Sequence, residues 1–357
     1  EFKRTEGFLP DTPVPDALVV IRGGTSARGV RLDLIQKVKP PKAYFEFVAA
    51  HGGEIEAFKL DDKTGDITYA ADLGPEGGKK YPRWTGGRRE RPRPVIVFPC
   101  KSLSIYDLVD VRYWSTLGGI YILDGKTDSD PLTFGISPPL WEPSSVIYVE
   151  KNSRVKIILS AGILGKRMIF LNSSAARPEG IGFNPGETAR ITNVPYQSAQ
   201  DMWFINEQRM VKFRKYGVSN ERLEQLHLGG KEALDEARNA YAEKKYAAAV
   251  TAARKALGLE SRAYPDVENT AQDVIKGILF YLALVLPFAY FTERLIFGFP
   301  DIKKQIVAAF LIFLIVFFCL QLVHPGFALV LSPWLVLLSF VILALAVIVS
   351  MLITGKF

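Results

Sequence analysis

Residues 306–323 read IVAAFLIFLIVFFCLQLV, a run of apolar side chains that contains no charged group. A helix needs about 20 residues to cross the hydrocarbon core of a bilayer, and this run lacks the polar face of a soluble helix. Two stretches of similar character flank it, VIKGILFYLALVLPFAYFT at 274–292 and PWLVLLSFVILALAVIVSMLIT at 333–354. The sequence therefore predicts three C-terminal transmembrane helices, at about 274–292, 306–323 and 333–354. The alternative, core helices of a large soluble domain, does not suit three such stretches in series.

The composition of the 357-residue chain separates a charged region from an apolar one. The chain has 44 Lys and Arg against 37 Asp and Glu, for a net charge of +7, and its mean hydropathy is +0.12. Only five basic and three acidic side chains follow residue 272, so 39 and 34 precede it. This division excludes a simple cytosolic enzyme. Two cysteines, Cys100 and Cys319, are too few for a fold stapled by disulfides.

The charges near the apolar stretches predict their orientation. Four basic residues lie close to the ends of the stretches: Arg294, Lys303, Lys304 and Lys356. The first three lie in the first connection, whereas the connection 324–332 has no Lys or Arg. Cytoplasmic loops of membrane proteins are enriched in these residues. We therefore expect an integral protein of the bacterial inner-membrane type, with the first connection and the C-terminus cytoplasmic and the N-terminal region periplasmic.

The region before the apolar stretches is predicted to be rich in β-strands. Ten short runs of β-branched and aromatic residues are bounded by Gly, Pro, Asn and Asp: 17–22, 43–49, 57–60, 66–70, 95–99, 119–123, 146–150, 155–160, 166–171 and 187–191. They do not alternate with helices, which favours antiparallel sheets in one or two β-sandwiches over 17–197. Residues 1–16 form an N-terminal tail. Since no apolar leader is visible, we expect an exported chain to have a signal or a helix upstream of Glu1.

Several acidic segments are predicted to form turns. In 58–73, FKLDDKTGDITYAADL, Asp61 suits an Asx-turn and Gly65 a positive φ, so the segment reads as strand, turn and strand. The segments 106–110 and 123–130 each contain Asp residues that could in principle hold a cation. The second has alternating oxygens but lacks the terminal Glu of a calcium loop, so we interpret it as a solvated turn, with a cation site as the alternative.

From residue 198 the sequence pattern becomes helical, and 198–272 is predicted to be a helical stalk before the transmembrane domain at 273–357. Residues 231–257, KEALDEARNAYAEKKYAAAVTAARKAL, read as two helices joined by a short turn. The positions of Tyr241 and Tyr246 among small alanines resemble those in a hairpin of the tetratricopeptide type. A single hairpin cannot form a solenoid, because repeats bury their faces against neighbours. We therefore expect Tyr241 and Tyr246 to contact the β-region or a partner, with 261–273 as a link to the first membrane helix.

A basic run at 83–93, RWTGGRRERPR, is the strongest local charge feature. Its cations are Arg83, Arg88, Arg89, Arg91 and Arg93. Such a run suits an anionic partner such as lipid headgroups or a cell-wall polymer, and the predicted outside location argues against nucleic acid. A solvated loop is the interpretation that we favour over such a contact, because Glu90 interrupts the run.

Motifs for catalysis are missing from the sequence. It contains no G-x-S-x-G, P-loop, H-E-x-x-H or G-x-G-x-x-G motif, and its three histidines are far apart. We therefore expect no catalytic residue, metal or cofactor. The interpretation that remains is a non-enzymatic subunit of a membrane or envelope complex. Its extracytoplasmic domain would bind a partner, and its helices would contact the bilayer and other membrane proteins.

The order of the predicted segments suggests a second interpretation. A large outside region followed by three helices, with a cytoplasmic first connection, resembles the C-terminal half of permeases of the FtsX/MacB class. The resemblance is one of topology and covers about the last quarter of the chain. It implies an ATPase subunit that touches 293–304.

Overall fold

The computed structural model describes residues 13–25, 31–37, 54–79, 94–137, 143–161, 165–218, 220–329 and 332–342. The fold is α+β, with antiparallel sheets followed by a helical C-terminal region. Contacts divide the chain into two compact units. The first comprises Glu1–Ile205 and Gly229–Ser261, and the second comprises Asn206–Leu228 and Arg262–Phe357.

The first sheet has five antiparallel strands in the order β2-β1-β3-β4-β5. Its strands are β1 (Leu18–Thr25), β2 (Arg31–Lys37), β3 (Glu54–Leu60), β4 (Ile67–Ala71) and β5 (Val97–Pro99). The turn between β3 and β4 confirms the prediction for Asp61 and Gly65. Asp61 Oδ1 accepts hydrogen bonds from the backbone N–H groups of Lys63 (2.8 Å) and Thr64 (3.1 Å), and Gly65 has a φ of 74°.

The other strands form two smaller sheets. One has the order β12-β6-β9-β8, and the other has the order β11-β10-β7. The strands are β6 (Lys101–Ile105), β7 (Gly119–Asp124), β8 (Gly135–Ser137), β9 (Ser145–Val149), β10 (Val155–Ala161), β11 (Gly165–Phe170) and β12 (Arg190–Ile191). A buried cluster of Ala70, Phe98, Cys100 and Tyr148 connects the five-stranded and four-stranded sheets.

Nine of the ten predicted strand runs overlap observed strands, and the tenth, 43–49, lies outside the described residues. The structure adds β2, β6 and β8, which the sequence did not predict. It also pairs β12 with β6 in parallel, which an all-antiparallel prediction did not include.

Helix α1 (Val194–Lys215) begins against the last strand of the three-stranded sheet. Asp201 is completely buried, and its carboxylate accepts hydrogen bonds from three successive backbone N–H groups. These belong to Leu171 (2.7 Å), Asn172 (3.1 Å) and Ser173 (2.8 Å), and Gln197 Nε2 adds a fourth bond at 3.1 Å. One side chain therefore satisfies the backbone donors of the chain where it leaves β11.

Helices α2 (Glu221–Ala242) and α3 (Tyr246–Thr292) form the predicted hairpin. Its turn is a Schellman motif, in which Lys245 N–H donates to Ala240 O (2.9 Å) and Lys244 N–H to Tyr241 O (3.0 Å). Lys244 has a φ of 62°, the left-handed conformation that this motif requires.

The predicted link at 261–273 is part of α3, which continues through this segment and includes Pro265. Proline inside a helix removes a hydrogen bond and usually kinks or ends the helix. Here Ala263 and Val267 are fully buried in a cluster with Met210 and Phe213 of α1. Packing on both sides of the proline therefore keeps the segment helical.

Two helices are long and apolar enough to cross a membrane, Tyr246–Phe297 and Lys303–Val323, rather than the three predicted. The first includes α3 and a π-helical segment, Glu293–Phe297, and the second lies within α4 (Ile302–Val323). A short helix, α5 (Pro325–Leu329), precedes α6 (Pro333–Ile342). The predicted third span is therefore only ten residues long as far as it is described, and 343–354 lies outside the described residues. Ile278, Phe317 and Phe340 lie in the buried core of this region.

Candidate interaction surface

The segment 106–116 of the first unit presents three large aromatic side chains to solvent. Tyr106, Tyr113 and Trp114 are 53%, 64% and 69% exposed. Leu108 within the segment and Leu117 directly after it are fully buried and anchor the segment. Isolated exposed aromatic residues are common on protein surfaces, whereas several on one short segment are not.

Asp110 organises the segment from within. Its carbonyl oxygen accepts hydrogen bonds from Trp114 N–H (2.8 Å) and Tyr113 N–H (3.3 Å), and its Oδ1 accepts one from Arg112 N–H (2.8 Å). Its buried Oδ2 lies 3.2 Å from Arg167 Nε in an ion pair. Trp114 has a φ of 53°, a left-handed conformation that a bulky residue adopts only where its surroundings impose it. The aromatic side chains are therefore presented by a well-ordered segment.

Arg254 of α3 connects this segment to the helical hairpin. Its Nη2 lies 3.1 and 3.0 Å from the two carboxylate oxygens of Asp107, and its guanidinium lies 5.4 Å from the centre of the Trp114 ring. Residues four apart in a helix lie on the same face, so Tyr246, Val250 and Arg254 share one face of α3. Through Arg254, this face of α3 lies next to the exposed aromatic rings of segment 106–116.

The tip of the hairpin extends the same surface. The rings of Tyr241 and Tyr246 meet edge to face with their centres 5.7 Å apart, and the two side chains are 60% and 57% exposed. Val250, at 40% exposed, follows on the same face of α3. We call this surface the aromatic stripe, and its members are Tyr241, Tyr246, Val250, Arg254, Trp114 and Tyr113.

The chemistry of the aromatic stripe suits binding to another protein. Tyr, Trp and Arg are the side chains most enriched among residues that dominate protein–protein binding energy. Aromatic rings have few rotatable bonds, so fixing them on binding costs little conformational entropy. Within the described part of the chain, no group of three or more His, Cys, Asp or Glu side chains could hold a metal ion.

The structure brings some of the predicted partner contacts together and does not describe others. Tyr241 and Tyr246, which the repeat-like pattern of 231–257 places on either side of a turn, are in ring contact. The basic run at 83–93 lies outside the described residues, as does Lys356. The other basic residues on which the orientation prediction rests, Arg294, Lys303 and Lys304, lie in or next to the connection between α3 and α4.

The two acidic segments that were weighed as cation sites have other roles. Asp124 Oδ1 accepts hydrogen bonds from Lys126 N–H (2.9 Å) and Thr127 N–H (3.0 Å), which is the predicted turn. In the other segment, Asp107 and Asp110 pair with arginines. These carboxylates therefore organise the backbone and the aromatic stripe.

No protein family, curated protein or solved structure matches this chain. The resemblances to a tetratricopeptide hairpin and to FtsX/MacB permeases therefore stay predictions.

Proposed function

We propose that this chain is a non-enzymatic, membrane-anchored subunit of a multi-protein membrane or envelope complex. The observation that carries the proposal is the aromatic stripe, in which exposed Tyr and Trp side chains lie along one helix face and beside the half-buried Arg254. A surface of this composition buries apolar area and excludes water when a protein partner covers it.

The apolar C-terminal part of the helix Tyr246–Phe297 and the helix Lys303–Val323 supply the proposed anchor. Only 22% and 11% of their most apolar windows are buried within the chain. The remaining apolar surface suits lipid or the helices of other membrane proteins. With Arg294, Lys303 and Lys304 facing the cytoplasm, the positive-inside rule places the N-terminal region in the periplasm of a bacterial cell.

A pair of matched variants tests the proposal. The chain is purified from native membranes in mild detergent, with and without Tyr113→Ser and Trp114→Ser together. We expect a protein that co-purifies with the wild type to be lost from this double variant. The control is Tyr121→Ser with Leu132→Ser, which removes two side chains of the same unit that are 52% and 75% exposed and lie outside the stripe. A wild-type chain that purifies alone as a monomer, or a partner that both variants retain, contradicts the proposal.

The alternative is a permease component that contacts an ATPase. The observation that favours it is the exposure of Leu295, Ile296 and Phe297, at 88%, 67% and 53%, between the two long helices. In this case Phe297→Ala and Phe299→Ala should abolish pull-down of the ATPase and leave the contacts of the aromatic stripe intact. Retention of the ATPase by both variants rules out this segment as its docking site.

A further inference from the structure

Residues 293–304, here called the connection turn, form an ordered link between the two long helices. The π-helical segment ends at Gly298, whose φ is 55° and whose N–H donates to Glu293 O at 2.9 Å. Glu293 Oε1 accepts a hydrogen bond from Phe299 N–H (3.2 Å), and Gln305 Nε2 donates to Phe299 O (2.6 Å). Phe299 is thereby held from both ends of the turn.

One part of the connection turn is apolar and exposed. Leu295 is the most exposed large hydrophobic residue of the described chain, and Ile296 and Phe297 follow it. The Phe297 ring stacks on Phe299 with the ring centres 5.7 Å apart. Three successive exposed apolar side chains next to two apolar helices suit the region where acyl chains meet headgroups.

Most of the exposed charged side chains of the connection turn are basic. Lys303 and Lys304 are exposed, and the Arg294 side chain is 48% exposed with its guanidinium 5.7 Å from the Tyr290 ring. The two acidic side chains are engaged within the turn, and one of them is paired with Arg294. Glu293 is buried, with Oε1 bonded to the backbone and Oε2 4.0 Å from Arg294 Nε.

Asp301, the second acid of the connection turn, caps α4 by accepting a hydrogen bond from Lys303 N–H at 2.9 Å. A carboxylate at this position is bound by the free N–H groups of the helix start. The basic side chains therefore retain an excess of positive charge beside an apolar surface.

From this arrangement we infer that the connection turn binds the headgroup phosphate of an anionic phospholipid. Arg294, Lys303 and Lys304 contact the phosphate, while Leu295, Ile296 and Phe297 enter the acyl-chain boundary. An ATPase surface would have to cover the same apolar side chains. We favour lipid because the turn joins the ends of two apolar helices, where a bilayer surface is expected. The clustered cations lie at this same boundary between apolar and polar side chains. The inference rests on the proposed membrane anchoring.

The test measures binding of fluorescent phosphatidylglycerol and phosphatidylcholine to the full chain in neutral detergent micelles. We expect tighter binding of phosphatidylglycerol. In Arg294→Gln with Lys303→Gln and Lys304→Gln, its affinity should fall roughly fivefold for each charge removed, and phosphatidylcholine binding should not change. The matched control is Lys244→Gln with Lys245→Gln and Lys255→Gln, which removes three exposed charges outside the connection turn and should have no effect.

Two further measurements distinguish a lipid headgroup from free phosphate and test the apolar side chains. Inorganic phosphate at the same concentration should not displace the lipid, and Leu295→Ser with Ile296→Ser should weaken lipid binding without changing the charge. Equal affinity for both lipids, displacement by inorganic phosphate, or an unchanged triple variant overturns the inference. The inference is also overturned if a protein, and not lipid, covers the connection turn.

Alkaline carbonate extraction distinguishes failure of the lipid-binding inference from failure of the proposed function. A wild-type chain that leaves the membrane in carbonate contradicts the membrane anchoring itself. A chain that stays in the membrane but shows no preference for phosphatidylglycerol contradicts only the lipid site.

Discussion

Asp201 shows how one residue can determine a junction between a sheet and a helix. Its two carboxylate oxygens accept four hydrogen bonds inside a site with no exposed surface. A buried donor that loses its acceptor costs the full desolvation energy of that donor. The contribution of Asp201 is therefore much larger than that of an exposed acidic residue.

Replacing Asp201 with Asn should destabilise the first unit by about 2–4 kcal/mol, because the new amide NH2 faces backbone donors that need an acceptor. Urea unfolding of the full chain in mild detergent, followed by tryptophan fluorescence, measures this change. Asp235→Asn is the control, since Asp235 is an exposed residue of α2 that pairs with Lys231 at 2.9 Å. Equal stability of the two variants would disprove the role of Asp201.

Asp201 also predicts a pH dependence. Burial raises the pKa of Asp201 to about 6, and the hydrogen bonds that it accepts oppose this rise. Because the folded pKa lies above the unfolded value of about 3.9, the folded chain binds the extra proton between these pH values. The stability that Asp201 contributes should be complete below about pH 4 and decrease by about 3 kcal/mol as the pH rises through 6.

This dependence is checked by measuring the free energy of unfolding from pH 4 to 8 for the wild type and for Asp201→Asn. The difference between them should fall with increasing pH, with its midpoint near the pKa of about 6. A difference that is constant over this range contradicts a raised pKa.

Only part of the aromatic stripe could be predicted at this scale. Tyr241 and Tyr246 lie five positions apart around a predicted turn, so their proximity followed from the local pattern. Trp114 and Arg254 are 140 positions apart, and no local pattern relates them. The sequence VRYWS does place two aromatic residues in a polar segment, and that was the signal available for Tyr113 and Trp114.

Helices α1 and α2 both end in a Schellman motif, but with different residues in the left-handed position. At the end of α1, Gly217 takes the left-handed position with a φ of 74°, and Val218 N–H donates to Phe213 O at 3.0 Å. At the end of α2 the same position is occupied by Lys244. A side chain in this conformation costs roughly 1–2 kcal/mol relative to glycine, so the second helix end carries a strain that the first does not.

Lys244→Gly should therefore raise the free energy of unfolding by about 0.5–1 kcal/mol, the relief of strain being partly offset by a more flexible unfolded chain. Gly217→Ala is the counterpart and should lower it by about 1 kcal/mol, although a Cβ at this position meets nothing within 4 Å. Urea midpoints of both variants measure these changes. If Lys244→Gly lowered the free energy of unfolding, the lysine side chain would stabilise the fold by more than its left-handed backbone conformation destabilises it.

The unpredicted elements have physical explanations. Strand β2 (RLDLIQK) mixes charged with apolar residues, and β8 has only three residues, so neither has a clear strand pattern alone. Both form because a neighbouring strand pairs with them. Pro265 lies inside α3, where the buried side chains around it stabilise the helix through contacts that local sequence does not specify.

For the whole molecule, the two cysteines report on membrane insertion. Burial raises the pKa of Cys100 to about 12, so its thiol is unreactive. Cys319 is exposed on α4, where the proposed bilayer would cover it. A membrane-impermeant maleimide should therefore label neither cysteine in native membranes, and both after denaturation in SDS. Labelling of Cys319 in intact membranes contradicts insertion of α4.

Orientation is tested with Lys303→Cys in the same background. With the connection turn in the cytoplasm, the new thiol should react with the impermeant reagent in inverted vesicles and not in intact spheroplasts. The opposite pattern would reverse the proposed topology, and reaction from both sides would exclude a membrane location for the turn.

The parallel pairing of β12 with β6 has a consequence for biosynthesis. Arg190 pairs with Ser104, so one edge of β6 has no partner until 86 further residues have been made. At about 5–20 residues per second, this interval is roughly 4–17 seconds. An uncovered strand edge can pair with another chain. A nascent chain that stalls before residue 190 therefore keeps this sheet edge open to pairing with another chain.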